Sequence, residues 1–241
     1  MPLVHSCRAI LLDLCNTIML GCDRFGAKED FKEDFAATYK AAGGTELAPA
    51  EVNRLMAKIV RAALRGYHNP ALFDSFPLLR FWVDEICEPE NIPQKERALL
   101  EEVFAQHEVG VIPEHHAAVI HQLAARFPIG LVSNNFGRTE LFIQELQRAG
   151  ISEDFRCMIF SREVGAIKPS PLIFRMAMEK FDASPNQFLF IGDSLRCDVG
   201  GAAAVGMNTI WIAEKEAHHI IPISPSPNRI VFNLSEILDE F

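Results

Sequence analysis

Polar residues that could carry chemistry follow three apolar runs of the chain. Asp13 follows AILL, Ser133 follows IGLV, and Asp193 follows FLFIG. If each run is a parallel strand, their carboxyl ends meet at one edge of a sheet, where open α/β proteins bind ligands. Lys168, in the loop GAIKPSP, and Asp198 add an ammonium group and a further carboxylate. Oxygen ligands suit Mg²⁺, and a lysine with a hydroxyl binds phosphoryl oxygens, so this set predicts a site for a divalent cation and a phosphate group.

The elements that must position these residues alternate along the chain. Short apolar runs, typical of strands buried on both faces, predict strands at 9–12, 128–132, 157–160, 188–191, 209–212 and 229–232. Between them, helical spacing of apolar residues predicts helices at 117–127, 139–149, 171–181 and 198–205. This alternation predicts an α/β fold with a doubly wound, Rossmann-like parallel sheet.

One long stretch interrupts the alternation. From about residue 20 to about residue 110 the pattern contains no buried strand and predicts only helices, at 28–42, 49–66, 75–87 and 93–107. We therefore predict two domains. Residues 1–19 and 111–241 form the α/β core, and residues 20–110 form a smaller, all-helical domain inserted after the first strand.

The composition excludes several classes of protein. The 241 residues include 23 Lys and Arg against 32 Asp and Glu, a net charge of −9, which disfavours nucleic acid as a partner. No apolar run is long enough to cross a membrane, and the N-terminus does not resemble a signal peptide. The six cysteines form no CxxC pair and indicate reduced thiols. These features together predict a cytoplasmic protein.

Four motifs follow one another in a characteristic order. They are LLDLCNT at 11–17, LVSNN at 131–135, GAIKPSP at 165–171 and IGDSLRCD at 191–198, the last running into GGA. In this order the chain resembles the haloacid dehalogenase-like hydrolase superfamily nearly end to end. The helical insertion is similar to the cap domain of one large subfamily, and we call residues 20–110 the cap.

The resemblance implies a nucleophile and a metal. Asp13 would attack phosphorus and form an aspartyl-phosphate intermediate. Mg²⁺ would be held by Asp13, the backbone carbonyl of Cys15 and Asp193, with Asp198 in support. The ion would offset the repulsion between an anionic nucleophile and an anionic phosphate.

The resemblance also implies a phosphate pocket. Ser133 and Lys168 would bind phosphoryl oxygens and stabilise the charge that develops on them, and Asn134 would add a further donor. The expected substrate is a small phosphorylated metabolite, and the expected activity is Mg²⁺-dependent phosphate hydrolysis.

The sequence departs from the family pattern at Cys15. Family phosphatases have a second Asp there, which protonates the leaving oxygen and later helps to deprotonate water. A thiol is a weak hydrogen-bond donor and a poor base at neutral pH. General acid–base help is worth about 10²–10⁴ in rate. Cys15 therefore predicts slow hydrolysis of ordinary phosphomonoesters.

The departure leaves several hypotheses open. The substrate could have a good leaving group, or the substrate or a cap residue could supply the proton. A phosphonatase-like enzyme would instead cleave a C–P bond through a cap lysine, for which Lys58 is a candidate. The protein could also be a metal- and phosphate-binding regulatory module with little turnover.

Other features carry structural predictions. Asn16 stands where the family has Gly, and Asn tolerates a left-handed backbone. A basic stripe on the second predicted cap helix is interpreted as a solvated face; it comprises Arg54, Lys58, Arg61 and Arg65. The histidine pairs 115/116 and 218/219 lack metal-ligand spacing and are predicted at the surface.

Overall fold

The computed structural model describes residues 7–22, 35–213 and 225–241. Its strands are β1 (Ala9–Leu12), β2 (Ile129–Ser133), β3 (Phe155–Phe160), β4 (Phe188–Gly192), β5 (Asn208–Ile212) and β6 (Arg229–Val231). They form one parallel sheet in the order β3-β2-β1-β4-β5-β6. The predicted parallel α/β fold is confirmed. Because β1 lies in the middle of the sheet, the strand order reverses beside it, and this is where such sheets bind ligands.

The strands are apolar because both faces of the sheet are covered. In β1, Ile10 and Leu12 point into one hydrophobic cluster, whereas Ala9 and Leu11 point into another on the opposite face. This is the alternation that a strand imposes on successive side chains. All four residues of β1 are buried. The two covered faces leave the edge at the carboxyl ends of the strands as the place where polar side chains collect.

Along the chain, the core helices alternate with the strands. They are α5 (Glu114–Ala124), α6 (Thr139–Arg148), α7 (Ser161–Val164), α8 (Pro171–Met178) and α9 (Gly201–Ala204). The start of α8 follows from its sequence, because the Ser170 side chain accepts a hydrogen bond from the Leu172 amide and Pro171 occupies the first turn.

The single helix predicted at 198–205 is wrong. The chain forms a π-helix at Leu195–Gly200 and then the short α9. The Ser194 side chain accepts from the Cys197 amide at 3.1 Å, while the Ser194 amide donates to the Asp198 carboxylate at 2.9 Å. The backbone therefore wraps around Asp198 at the point where a regular helix was expected. π-Helical turns are frequent at functional sites.

The cap is helical in the described residues, as predicted. Its helices are α1 (Phe35–Ala41), α2 (Pro49–Tyr67), α3 (Leu79–Cys87) and α4 (Gln94–Glu108). They pack around a hydrophobic cluster of their own, to which Leu55, Ile59 and Phe104 belong. The separate cluster supports the predicted division into two domains, which stays a prediction. Residues 28–34 of the predicted helix 28–42 lie outside the described residues.

Helix α3 begins later than predicted. Residue 75 was expected to start it, but the helix begins at Leu79. Pro77 disfavours a helical backbone at Phe76, whose amide instead donates to the Gly165 carbonyl of the core at 2.7 Å. The segment before α3 is thus bonded to the core and does not continue the helix.

The surface prediction for His116 is also wrong. Its side chain is buried, and its Nδ1 lies 2.8 Å from the Ile18 carbonyl oxygen. Helix α5 begins at Glu114, which places His116 on the same inward face as Ile120 and Leu123. His218 and His219 lie outside the described residues.

All six cysteines are free thiols, and in the part of the chain described here no helix is long and apolar enough to span a bilayer.

Candidate active site

Three carboxylates meet at the carboxyl ends of the central strands. Asp13, Asp193 and Asp198 each have an oxygen within 4.8 Å of the others. Asp13 continues β1 and donates its amide hydrogen to the Ile191 carbonyl of β4 at 2.9 Å. Three convergent carboxylates supply the hard oxygen ligands that Mg²⁺ prefers, so the donor set fits this cation.

Gly192 makes room for this cluster. A Cβ atom at Gly192 would lie 2.4 Å from the Asp198 carboxyl carbon, a distance that no real contact allows. The absence of a side chain at the end of β4 therefore lets Asp198 pack directly against the strand, within reach of Asp13.

Lys168 neutralises part of the carboxylate charge. Its buried ammonium group forms an ion pair with Asp13 and lies 2.8 Å from Asp198 Oδ1. Burial alone would lower the pKa of Lys168, but the two facing carboxylates outweigh it and hold that pKa above its ordinary value. The lysine is therefore a permanent cation at this position.

The pKa of Asp13 is set by opposing effects. Burial raises it to about 6, and repulsion from Asp198 acts in the same direction, while the Lys168 ammonium opposes the rise. A carboxylate with this much desolvation is poorly stabilised by the protein alone. An additional cation would stabilise its ionised, nucleophilic form.

Asn134 holds the backbone of Lys168 in place. Its Oδ1 accepts from the Lys168 amide at 2.8 Å, and its Nδ2 donates to the Lys168 carbonyl at 3.0 Å. These two contacts determine which end of the amide is the donor. The same Nδ2 donates to the Tyr67 hydroxyl at 3.2 Å. The amide is thus engaged in positioning its neighbours, and its role as a donor to phosphate stays a prediction.

Ser133 ends β2, and its hydroxyl is buried. Among the described residues this hydroxyl has no hydrogen-bond partner. A buried polar group without a partner costs about 1–3 kcal/mol. Such a group fits a site in which a ligand oxygen completes the hydrogen bond, as a phosphoryl oxygen would do.

The turn after β1 brings Cys15 to the same site. Asn16 has φ of 61°, which confirms the left-handed backbone predicted there. Hydrogen bonding to the neighbouring Cys22 thiol and burial raise the pKa of the Cys15 thiol well above its ordinary value. The group at the position of the missing Asp is therefore a protonated thiol and not a base.

These residues surround one cavity of about 220 Å³. It is lined by Asp13, Cys15, Asn16, Tyr67, Asn134, Lys168, Asp193, Ser194, Cys197 and Asp198. The predicted site residues thus come together, except that Ser133 is not part of this lining. Tyr67, Ser194 and Cys197 were not singled out from the sequence. Ser194 and Cys197 lie inside the fourth motif, whereas Tyr67 comes from the cap and has no motif to mark it.

The basic stripe of α2 lies away from the cavity. Lys58 Nζ is 2.7 Å from Glu90, and Arg54 pairs with the same carboxylate at 2.5 Å. The side chain of Lys58 is 45% exposed. These contacts on the cap surface agree with a solvated face, and Lys58 takes no part in lining the cavity.

The fold and the site are typical of a class of hydrolases, and comparison with known proteins identifies the family. Residues 7–206 match the family model of haloacid dehalogenase-like hydrolases. The chain therefore belongs to the haloacid dehalogenase-like hydrolase family, as its four motifs predicted.

Individual relatives include phosphatases. The chain is 29% identical over 134 residues to a phosphoserine phosphatase of Thermus thermophilus, a match that covers 55% of this chain and only 53% of that protein. It is 26% identical over 205 residues to a glyceraldehyde 3-phosphate phosphatase of Methanopyrus kandleri, covering 85% and 83%. Among solved structures, a 2-haloacid dehalogenase from Pseudomonas syringae pv. Tomato has a TM-score of 0.68 at 19% identity and 97% coverage of both chains. That likeness shows the shared fold.

Proposed function

We propose that this protein is a Mg²⁺-dependent phosphatase that acts on a small phosphorylated metabolite through an aspartyl-phosphate on Asp13. The convergence of Asp13, Asp193 and Asp198 beside the buried Lys168 carries the proposal. Dehalogenation of an organic halide, also represented among structural neighbours, has no need of three clustered carboxylates. The phosphatase relatives favour the same choice.

Each residue has a defined task in this reaction. An oxygen of Asp13 attacks phosphorus, and the P–O bond to the leaving group breaks. The Lys168 ammonium and the Ser133 hydroxyl stabilise the charge on the phosphoryl oxygens. Asp13, Asp193, Asp198 and the Cys15 carbonyl would hold Mg²⁺, which supplies charge neutralisation between nucleophile and phosphate.

The cap contributes to enclosing the site. Its segment before α3 donates from the Phe76 amide to the Gly165 carbonyl at 2.7 Å, and accepts at the Phe73 carbonyl from the Ile167 amide at 2.9 Å. Asp74 of the cap also accepts a hydrogen bond from Ser170. These contacts join residues 73–76 to the loop that carries Lys168, which supports residues 20–110 as a cap over the phosphate pocket.

A screen for phosphate release tests the proposal. Purified protein with Mg²⁺ is incubated with a panel of phosphorylated metabolites, beside parallel reactions containing EDTA. We expect release to need Mg²⁺ and to be lost in Asp13→Asn. Asp182→Asn, the same change at an exposed position, is the matched control and is expected to keep full activity. Release that survives in Asp13→Asn would refute the nucleophile assignment.

The second candidate function is a phosphate- and metal-binding module with little turnover. The protonated thiol of Cys15 favours it, because the usual acid–base carboxylate is absent. Cys15→Asp separates the two candidates. If the wild type releases no phosphate from any compound while Cys15→Asp does, the native protein is a binding module. If the wild type turns over, it is an enzyme, and Cys15→Asp measures what the missing carboxylate is worth.

The C–P hydrolase hypothesis finds less support. It requires a cap lysine at the substrate, but Lys58 is paired with Glu90 on the cap surface. Borohydride trapping of an aldehyde substrate on the protein would be expected to leave Lys58 unlabelled.

A further inference from the structure

We infer that Tyr67 of the cap is the proton donor to the leaving oxygen, taking the place of the carboxylate that is missing at Cys15. The inference rests on the proposed phosphatase function and names the group that completes it.

Tyr67 is the last residue of α2, and its half-buried side chain leaves the cap to line the cavity. The cavity wall that it shares includes Asp13 and Cys15. Several protic groups line this cavity, and two of them bear on the missing carboxylate: the Cys15 thiol, which stands at its position, and the Tyr67 phenol of the cap. A phenol is much the stronger hydrogen-bond donor of the two.

The hydrogen bonds of Tyr67 leave its hydroxyl hydrogen available to a substrate oxygen. Asn134 Nδ2 lies 3.2 Å from the Tyr67 oxygen and must be the donor, because the two contacts with Lys168 determine the amide orientation. The phenol oxygen therefore accepts from Asn134 and keeps its own hydrogen for another partner. Within the described residues the other neighbour of this oxygen is Cys197 Sγ at 3.2 Å. Sulfur is a weak acceptor, so an ester oxygen of a substrate would compete well for this proton.

Two contacts of Tyr67 offset part of the cost that burial places on the phenolate left by proton donation. The Arg196 guanidinium carbon lies 5.1 Å from the Tyr67 ring centroid, and the Asn134 donor points at the oxygen. Both interactions strengthen when the ring system becomes negative. In the resting state burial raises the pKa of Tyr67 well above its ordinary value, so the phenol is protonated before substrate binds.

The proton balance of the two steps is complete without another reagent. As Asp13 attacks phosphorus and the P–O bond breaks, the leaving alkoxide takes the Tyr67 proton and departs as an alcohol. Water then attacks the aspartyl-phosphate and gives one proton to the Tyr67 phenolate. Phosphate is released, the Asp13 carboxylate is regenerated, and Tyr67 is again a phenol.

The test compares leaving groups of different basicity. Proton donation matters for the alkoxide of ethyl phosphate or glycerol 3-phosphate, whereas the p-nitrophenolate ion leaves without it. In Tyr67→Phe we expect kcat/KM for the two alkyl phosphates to fall about 10²-fold or more. For p-nitrophenyl phosphate we expect a fall of less than about threefold. Cys15→Asp placed in the Tyr67→Phe protein should restore hydrolysis of the alkyl phosphates.

Two control variants separate catalysis from packing. Tyr39→Phe makes the same change in the cap, at a buried tyrosine bonded to Glu96 and not part of the cavity lining. A loss that arises from a less stable cap should lower kcat/KM for all three substrates by the same factor. Tyr39→Phe shows the size of such a loss. Cys15→Ala tests the rival donor and should leave the ratio of alkyl to p-nitrophenyl rates unchanged.

Several results would overturn the inference. Equal losses for all three substrates in Tyr67→Phe would assign Tyr67 a structural role. An alkyl-selective loss in Cys15→Ala alone would make the thiol the donor. Wild-type release from p-nitrophenyl phosphate but from neither alkyl phosphate would mean that no donor is supplied, while the phosphatase function stands. Absence of release from every ester would refute the proposed function itself and the Tyr67 role with it.

Discussion

Replacing Lys168 by Met tests how the carboxylate cluster is held together, independently of any activity. The substitution keeps an unbranched side chain of similar length but removes the charge. The ammonium group of Lys168 is buried between Asp13 and Asp198, so its removal leaves two facing carboxylates without their counter-charge.

The size of the effect follows from the geometry. Unit charges 2.8 Å apart, the distance from Lys168 Nζ to Asp198 Oδ1, attract by roughly 6 kcal/mol at an effective dielectric constant of about 20. The desolvation of the ions offsets part of this attraction, and removing one partner of a buried pair typically costs about 3–5 kcal/mol. For a chain of this size each kcal/mol lowers the melting temperature by about 2–4 °C, so we expect a fall of about 6–20 °C.

The assay is thermal unfolding in EDTA, followed by circular dichroism at pH 7.5. Lys58→Met is the matched control, because its ammonium pairs with Glu90 at the exposed cap surface. Exposed pairs contribute little, so its melting temperature should stay close to that of the wild type. A divalent cation bound among the same carboxylates would take over part of the role of Lys168. Mg²⁺ should therefore stabilise Lys168→Met more than it stabilises the wild type.

A melting temperature for Lys168→Met equal to that of Lys58→Met would refute this reasoning. It would show that the cluster tolerates two unpaired carboxylates, and that Lys168 is retained for another reason than charge balance.

Three further predictions concern the frame around the site. Burial raises the pKa of Glu108 to about 7 from its ordinary 4.5, so the unfolded chain releases this proton first and stability falls as pH rises from about 4.5 to 7. In Glu108→Gln the free energy of unfolding should fall by about 3 kcal/mol less over this pH range, as measured by urea unfolding at pH 5 and pH 8. Parallel pH profiles for the two proteins would contradict this prediction. Gly192→Ala pushes a Cβ into the Asp198 carboxylate and should weaken Mg²⁺ binding at least about tenfold in calorimetry, whereas unchanged affinity would exclude a role for Asp198 in the metal site. Asn134→Ala removes the hydrogen bonds that hold the Lys168 backbone and should cost about 1–3 kcal/mol in urea unfolding, an effect whose absence would mean that the loop is held elsewhere.

The sheet and its active edge were predictable because they depend on local patterns. A run such as AILL in β1 is apolar because helices cover both faces of the sheet, and the first polar residue after it marks the strand end. Asp13, Ser133 and Asp193 could therefore be placed at one edge of the sheet from local sequence alone. Helix ends were less predictable, as at α3, where Pro77 and a hydrogen bond from the Phe76 amide to the core together delay the start to Leu79.

By itself the sequence determined the family, the parallel α/β fold and the residues at the strand ends, because each is written in contiguous motifs with fixed spacing. Only the tertiary structure decided what else faces those residues. Tyr67 contacts Cys197, 130 positions further along the chain, and Asn134 binds the backbone of Lys168, 34 positions away. Such contacts depend on how the cap packs against the core and how loops from separate strands meet. Local periodicity and spacing do not encode that packing. The presence of Tyr67 in the same cavity as Cys15 could therefore be found only in the folded molecule.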